Sequence, residues 1–420
     1  MQHWEVVVVG AGAAGLVAAF RAAERGRRTL LLEKNRRAGA KILMSGGTRC
    51  NLTHATDPRG IVREFGPQGR FLHSALSLLG PQEVVEMFEA EGVATKVEQQ
   101  TGKVFPESDK ALDVLGALLQ RLDRSGCVLA REEPLERLER SGGGFRLTTP
   151  RQTVTADKVI LTPGGQSYPG CGTTGDGYGW AAALGHKVIP PRPALVPLRT
   201  DAAWVHVLSG ITIPDVLVKV MPADCAAGPS GSRTSAALAQ RRGSFLFTHF
   251  GLSGPAVLDV SRAVSGHPGP DRLVLVCDLL PRMNPDELSA LVAQECATAG
   301  RRRLSTILGN WLPQRLAETL VQRVGLTEQR RAAELSGADR RQLVEAVKQL
   351  PIPVAGTLGF KKAEVTAGGV ALDEIDSRTL QSKIVPNLYI AGELLDLDGP
   401  IGGYNFQAAF STGWLAGESV

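Results

Sequence analysis

No Cys-x-x-Cys pair occurs anywhere in the 420 residues, and the six cysteines (Cys50, Cys127, Cys171, Cys225, Cys277 and Cys296) are scattered. That pattern excludes a disulfide scaffold, a dithiol redox motif and a structural zinc site, so no metal is expected and the cytoplasm is the default compartment. Charge of one sign is lacking as well: 47 basic residues are interleaved with 42 acidic ones, for a net +5. Such a balance points to an ordinary solvated surface and argues against a nucleic-acid footprint. There is no long hydrophobic run either. The longest, Val6 to Phe20, is bounded by Glu5 and Arg21, is broken by Gly10, Gly12 and Gly15, and falls short of the roughly 20 residues a membrane helix needs. No signal-peptide pattern precedes it, because the first strand starts almost at once. What remains is a soluble globular chain, 43% apolar, with enough length for two or three domains.

The first 40 residues read as one βαβ unit. "WEVVVVG" is a β-branched run suited to a strand buried on both faces, "AGLVAAFRAAERG" has helical spacing and stops at Gly26, and "RTLLLEK" is a second buried strand. Helical spacing recurs from Arg70 to Glu91 and from Asp109 to Arg124. "CVLAREEPLERLER", "GFRLTTP" and "VTADKVILTPGG" then read as strands. The proline-rich "IPPRPALVPL" marks a crossover into a strand-rich region that holds a mobile loop from Pro222 to Ser232, and from Asn284 to Leu350 the pattern turns helical. These breaks predict an α/β chain: a Rossmann-like domain over 1–190 and 355–420, a β-rich insert over 191–283 and a helical subdomain over 284–354.

The chemistry starts at Gly10-x-Gly12-x-x-Gly15, which follows a strand, opens a helix, and encloses Ala13 and Ala14. Gly10 makes the tight turn, Gly12 lets backbone approach a pyrophosphate, and Gly15 allows close helix–strand packing. Glu33, at the end of the next strand, can accept from ribose hydroxyls and argues against a 2′-phosphate. The polar, glycine-bearing loop "KILMSGGTRCN" comes directly after this unit, where backbone N–H groups and Arg49 can lie along a cofactor. At the other end, "NLYIAGELLDLDGPIGGYNFQAAFSTGWLAG" reads as a buried strand, a Gly392-Glu393 step, a glycine turn and a helix from about Tyr404. The start of that helix suits the N1/C2 edge of a reduced flavin, or a phosphate. This pairing of chain ends is a flavoprotein arrangement.

Together "KILMSGGTRCN", "SYPGCGTTGDGYGWAAALGH", "FTHFGLSGPAVL" and "VTAGGVALDEID…SKIVPNLYIAGELLDLDGPIGGYNFQAAFSTG" resemble the BaiN/RdsA-type NAD(P)/FAD-dependent oxidoreductases of bacteria, in order and over nearly the whole chain. The resemblance implies a β-barrel-like insert within the FAD domain. It also implies FAD contacts from Gly10, Gly12, Ala13, Ala14 and Gly15, from Glu33 and Lys34, from Lys41, Ser45, Gly46, Gly47, Arg49 and Asn51, and from the backbone of Leu135 at the adenine. Gly392, Glu393, Asn405, Phe406 and Gln407 would hold the ribityl and flavin end. Thr162 and Gly164 lie in a second cofactor contact that departs from the family. There Thr162-Pro163-Gly164-Gly165 replaces the usual Ala-Thr-Gly-Gly, and proline has no N–H to offer. Thr48 likewise stands where a third glycine is common.

No second dinucleotide fingerprint exists, so NAD(P)H, if used, visits the flavin transiently. Two reactions are compatible with the family. In one, NAD(P)H reduces FAD and the flavin passes hydride to a small organic acceptor such as an unsaturated carbonyl compound. In the other, FAD takes hydride from a small primary amine and passes electrons to dioxygen. His249 and Tyr404 are the candidate acid/base residues, with structural roles as the alternative for each. Cys50 and Cys171 lie in cofactor-adjacent loops but lack a Cys-x-x-Cys partner for disulfide reductase chemistry. A reading of another class, an RNA-binding or redox-sensing flavoprotein, draws on "RRRL", "QRR" and "DRR" between Arg301 and Arg341. The expected partner is a small-molecule substrate, with no membrane and the oligomeric state left open.

Overall fold

The computed structural model describes residues 2–226 and 237–420, so residues 227–232 of the stretch read as a mobile loop lie outside the described residues. Two compact units divide the chain, one from residues 1–193 and 364–420 and the other from 194–363.

The first unit is built on a parallel sheet. β1 (Gln2–Val9) buries Val6 to Val9, and after α1 (Ala13–Glu24) comes β2 (Thr29–Glu33), buried at every position. Side chains apolar on both faces suit a strand covered on both sides. β1 lies between β2 and the strand Thr153–Leu161, parallel to both, with Val9 level with Leu32 and Leu161. Val128–Arg131 adds outside β2, and Leu388–Ile390 adds to Thr153–Leu161, both parallel. A hairpin, Arg137–Ser141 and Gly144–Thr148, extends the sheet antiparallel. The carboxyl ends of the parallel strands therefore fall at one edge, where open α/β sheets bind ligands.

The C-terminal helix, Tyr404–Ser419, lies against α1 at backbone distance. A Cβ on Gly413 would stand 2.3 Å from Ala14 O, and one on Gly417 would stand 2.5 Å from Ala18 O. Glycine at these two positions, one turn apart, permits that approach. The helical stretch read over 70–91 is broken: His73–Leu78 and Pro81–Ala90 are separate helices, with Pro81 opening the second. Pro134 likewise separates Val128–Arg131 from Arg137–Ser141 within the run read as a strand.

The second unit carries a seven-stranded antiparallel sheet. Its order is Leu350–Pro353, Leu273–Asp278, Thr212–Pro222, Ala239–Thr248, Gly251–Ser253, Leu198–Arg199, Gly356–Thr357. Only Val354 and Ala355 separate the two edge strands along the chain, so the sheet curls until its edges nearly meet. Helices Pro285–Thr298, Gln314–Arg323 and Gly337–Lys348 bury Leu288, Leu316 and Val347 in the same core as Phe245, Phe247 and Leu275. That core runs across the border drawn at residue 283. Pairing of Gly356–Thr357 with Leu198–Arg199 keeps residues 355–363 with this unit rather than the Rossmann-like one. Among the described residues, no helix is long and apolar enough to cross a membrane, and no cluster of His, Cys, Asp and Glu is arranged to hold a metal.

Candidate cofactor site

The first turn at the carboxyl edge is set by glycines with different duties. Gly10 has φ +97°, a conformation L side chains rarely adopt, and a Cβ there would lie 2.6 Å from Thr162 O. A Cβ on Gly15 would lie 1.8 Å from Gly10 O. Gly12 is different: nothing stands within 4 Å of where its Cβ would be. It caps α1, whose first turn carries no acidic side chain and no side-chain cap. Unpaired N–H groups thus face open space, a setting that fits a pyrophosphate.

Glu33 is buried beside this turn. Its Oε2 accepts from Ala11 N (2.9 Å) and its Oε1 from Asn35 N (2.8 Å), so the carboxylate is held at the end of β2 by two backbone donors. Leu135 is buried close by in sequence to Glu133, whose N–H donates to Glu33 O. Lys34 turns elsewhere, to Thr174 Oγ1 and Asp176 Oδ2, both at 2.6 Å.

Glu393, one residue past the carboxyl end of Leu388–Ile390 and the Ala391-Gly392 step, gathers a second cluster. Lys41 Nζ donates to Glu393 Oε2 (2.6 Å) and to Ser167 Oγ (2.6 Å); Ser167 Oγ and Thr366 N donate to Glu393 Oε1 at 2.9 and 2.8 Å. Thr366 Oγ1 in turn accepts from Gln166 N and Ser167 N. Gly164 and Gly165 admit this arrangement, since a Cβ on Gly165 would meet Thr366 Oγ1 at 2.4 Å. Thr162 ties the loop to the first turn, its hydroxyl lying 2.9 Å from Val9 O and 3.0 Å from Gly10 O. Gly392 N donates to Thr412 Oγ1, which fixes the step to the C-terminal helix. Tyr178 Oη is shielded from water and lies close to Thr366 and Glu393. Burial, and then the Glu393 carboxylate, push its phenol well above the ordinary range, so it stays a neutral donor. Ser167, Thr366 and Tyr178 were not among the residues expected from sequence.

Several expected contacts are committed to the protein itself. Arg49 stacks over Phe105, 3.9 Å from its centroid, and pairs with Glu98 at 3.1 Å. Asn51 is buried, and with its amide turned to match its neighbours it donates to Thr53 O and Val104 O and accepts from Gly403 N. Gln407, fully buried, accepts from Thr53 Oγ1 and donates to Leu79 O and Ser411 Oγ. Asn405 closes the turn before the helix through Gly399 N and O and Pro400 O. Ser45 Oγ donates to Ile42 O. The amides are fully engaged within the protein, while Arg49 keeps further N–H donors and Ser45 Oγ can still accept. Tyr404 is buried and stacked on His54, ring centroids 4.8 Å apart, and Phe406 leans on Phe410.

The loop after Met44 is left-handed at Gly46, Gly47, Thr48 and Cys50. Thr48, with φ +72°, is β-branched where such a conformation is a genuine outlier. Thr48→Gly removes a strain of about 1–2 kcal/mol at the expense of chain entropy of about 0.5–1 kcal/mol. The expected result is a net gain of roughly 0.5–1 kcal/mol in urea unfolding at saturating FAD.

His249 sits in the second unit, in the two-residue turn between Ala239–Thr248 and Gly251–Ser253, exposed and edge-on to Phe250. Burial pushes the Cys50 thiol up to about 12, and burial also raises Cys171 against the pull of Lys41. Neither sulfur is a ready thiolate.

A family model described as "HI0933-like protein Rossmann domain" matches residues 4–419. The chain belongs to this family. It is 31% identical over 423 residues to the ribosomal RNA dihydrouridine synthase of Escherichia coli (strain K12), covering 100% of this chain and 98% of that one. With the 3-dehydro-bile acid delta(4,6)-reductase of Clostridium scindens it shares 32% over 423 residues, 98% of each. The 3-ketosteroid-delta4-(5alpha)-dehydrogenase of Rhodococcus jostii RHA1 superposes over 100% of this chain and 96% of its own with a TM-score of 0.54 at 13% identity, a likeness of fold. The protein is an FAD-dependent oxidoreductase with a Rossmann-like FAD-binding domain.

Proposed function

We propose that this enzyme passes hydride from reduced FAD to a carbon–carbon double bond conjugated to a carbonyl group in a small acceptor, with NAD(P)H as the transient reductant. The observation that carries the reading is full-length similarity to two relatives whose names describe one chemistry on different molecules. A delta(4,6)-reductase of a 3-oxo acid saturates double bonds conjugated to a ketone. A dihydrouridine synthase saturates the ring double bond beside a uracil carbonyl.

FAD when bound supplies the two-electron hydride chemistry, and the residues of this chain position it. The N–H groups at the start of α1, facing the space at Gly12, take the pyrophosphate. Glu33 accepts from the ribose, while Gly392, Glu393 and the start of the C-terminal helix hold the ribityl and flavin end. Lys41 neutralises Glu393 there. The buried free thiols Cys50 and Cys277 favour a reducing, cytoplasmic setting.

A second reading, in which the double bond belongs to a uracil base in RNA, is favoured by the 31% identity to the E. coli protein across the whole chain. One experiment separates these readings. The purified holoenzyme is mixed anaerobically with NADPH, then NADH, and the flavin bands are followed; the bleached enzyme is then offered a 3-oxo-4-ene steroid or a uridine-bearing RNA. Bleaching followed by reoxidation with the steroid is the expected result. Reoxidation by RNA alone favours the second reading. Bleaching by a primary amine and by neither nicotinamide would overturn both.

A further inference from the structure

Three partly buried cations near the carboxyl edge of the first unit have partners, and a fourth does not. Lys34 pairs with Asp176, Lys41 with Glu393 and Arg49 with Glu98. Arg192, half-buried, has no carboxylate or hydrogen-bond acceptor among the described residues, and its Nε is shielded from water. A guanidinium N–H shielded from water and left without an acceptor is unfavourable, as also at Arg330 and Arg340, and a ligand can complete it where the rest of the group stays accessible, as it does at Arg192.

Its position says what that ligand can be. Arg192 lies on the strand Val188–Ala194, which forms a two-stranded ribbon with Val365–Val370. Ala371 N donates to Lys187 O, and Gly368 lies against Pro190 O. Those contacts run the strands antiparallel, and the same register carried two residues on sets Arg192 across from Thr366. Residues opposite one another in an antiparallel ribbon share a face. Thr366 is the residue whose N–H holds Glu393 and whose hydroxyl holds the Gln166–Ser167 turn. Arg192 therefore stands beside the Glu393 cluster, on the ribbon that borders the carboxyl edge.

We propose that Arg192 binds the carbonyl oxygen of the acceptor and holds the negative charge that oxygen gains during reduction. This rests on the conjugated-carbonyl reading above. Hydride bonding to the β-carbon brings two electrons; the carbon–carbon π pair shifts toward the carbonyl, and its charge comes to rest on oxygen as an enolate. A proton from solvent at the α-carbon completes the addition of two hydrogens. Arginine suits the task because it stays charged and offers several donors in one plane. Donors placed where charge develops stabilise the transition state more than the ground state.

The test uses holoenzyme and 4-nitrophenol, whose phenolate imitates an enolate oxygen and whose colour reports its ionisation. The wild-type enzyme is expected to bind it as the phenolate at a pH below its ordinary pKa. Arg192→Met is expected to bind it roughly 10- to 100-fold more weakly, with flavin content and midpoint potential unchanged, and Arg192→Lys to recover part of the affinity. Equal phenolate binding by Arg192→Lys and wild type, together with equal binding by a flavin-replete Arg192→Met, would overturn the assignment. A changed midpoint potential with unchanged phenolate binding would also overturn it, placing the charge on the flavin instead. Arginine-dependent phenolate binding by an enzyme that reduces no conjugated carbonyl would leave the oxyanion site standing and sink only the function it rests on.

Discussion

Gly12→Asp is expected to yield a folded protein that purifies without flavin. Three features of the first turn lead there. The space around the Gly12 Cβ is open, so the side chain meets no protein atom. The backbone at Gly12, φ −82° and ψ −167°, is extended and accepts any residue, and aspartate is among the preferred N-cap residues. Helix α1 is therefore at least as stable in the variant. The same carboxylate takes up the N–H groups that serve a phosphate and repels it. Unit charges about 4 Å apart at an effective dielectric near 20 differ by about 4 kcal/mol, so FAD affinity should fall on the order of 1,000-fold. Circular dichroism, the flavin absorbance of the purified protein and calorimetric titration with FAD check the three parts. Gly15→Ala is the contrasting variant, because its Cβ meets Gly10 O at 1.8 Å and it should not fold at all. A yellow Gly12→Asp protein with ordinary FAD affinity would show that the first turn does not hold the pyrophosphate.

Glu393→Ala is the second large effect, and it acts on stability as well as on the cofactor. Removing the carboxylate strands Lys41 Nζ, Ser167 Oγ and Thr366 N together. Breaking a buried pair from one side costs about 3–5 kcal/mol. Here the two side chains are 18% and 26% exposed, so water screens part of the charge and about 2–4 kcal/mol is the expected loss. Combining Lys41→Met with Glu393→Gln should recover most of it, since the amide oxygen still accepts from Thr366 N and no cation is left alone. Neither protein should retain FAD through gel filtration. Thermal unfolding of Lys41→Met, of Glu393→Gln and of the pair measures the coupling, and additivity would mean that Lys41 and Glu393 do not act as one unit.

The two ends of the candidate site were legible because each is local. A buried strand, three spaced glycines and an acid eighteen positions on from the last glycine describe a turn that forms from neighbours in the chain. The Gly392-Glu393 step before a helix is equally compact. What surrounds Glu393 was not legible. Ser167 is 226 positions away and Thr366 27, and a lone serine or threonine carries no signal of its destination. The amides show the opposite case. Asn51 and Gln407 stand in flavin-like motifs, yet a buried amide needs several partners wherever it lies, and both find theirs inside the protein. Gly413 and Gly417 carry no mark of their partner in the sequence, although they let the C-terminal helix lie against α1. Composition said little about the insert's single core, because the pattern change at residue 284 marks a change of element and not of packing partner.

The division of the first unit into two stretches of chain has a consequence for how the enzyme is made. The ribosome delivers residues 194–363 before it delivers 364–420, so the insert can complete its own core while the Rossmann-like half still lacks Leu388–Ile390 and the helix that Gly413 and Gly417 seat on α1. Until those residues emerge, Glu393 is absent, Lys41 has no counter-charge, and one flank of the sheet is bare. Flavin capture is thereby tied to the emergence of residues 364–420. A nascent chain stalled short of residue 388 would display a finished insert beside a waiting, sticky nucleotide fold, the interval in which chaperones have most to protect.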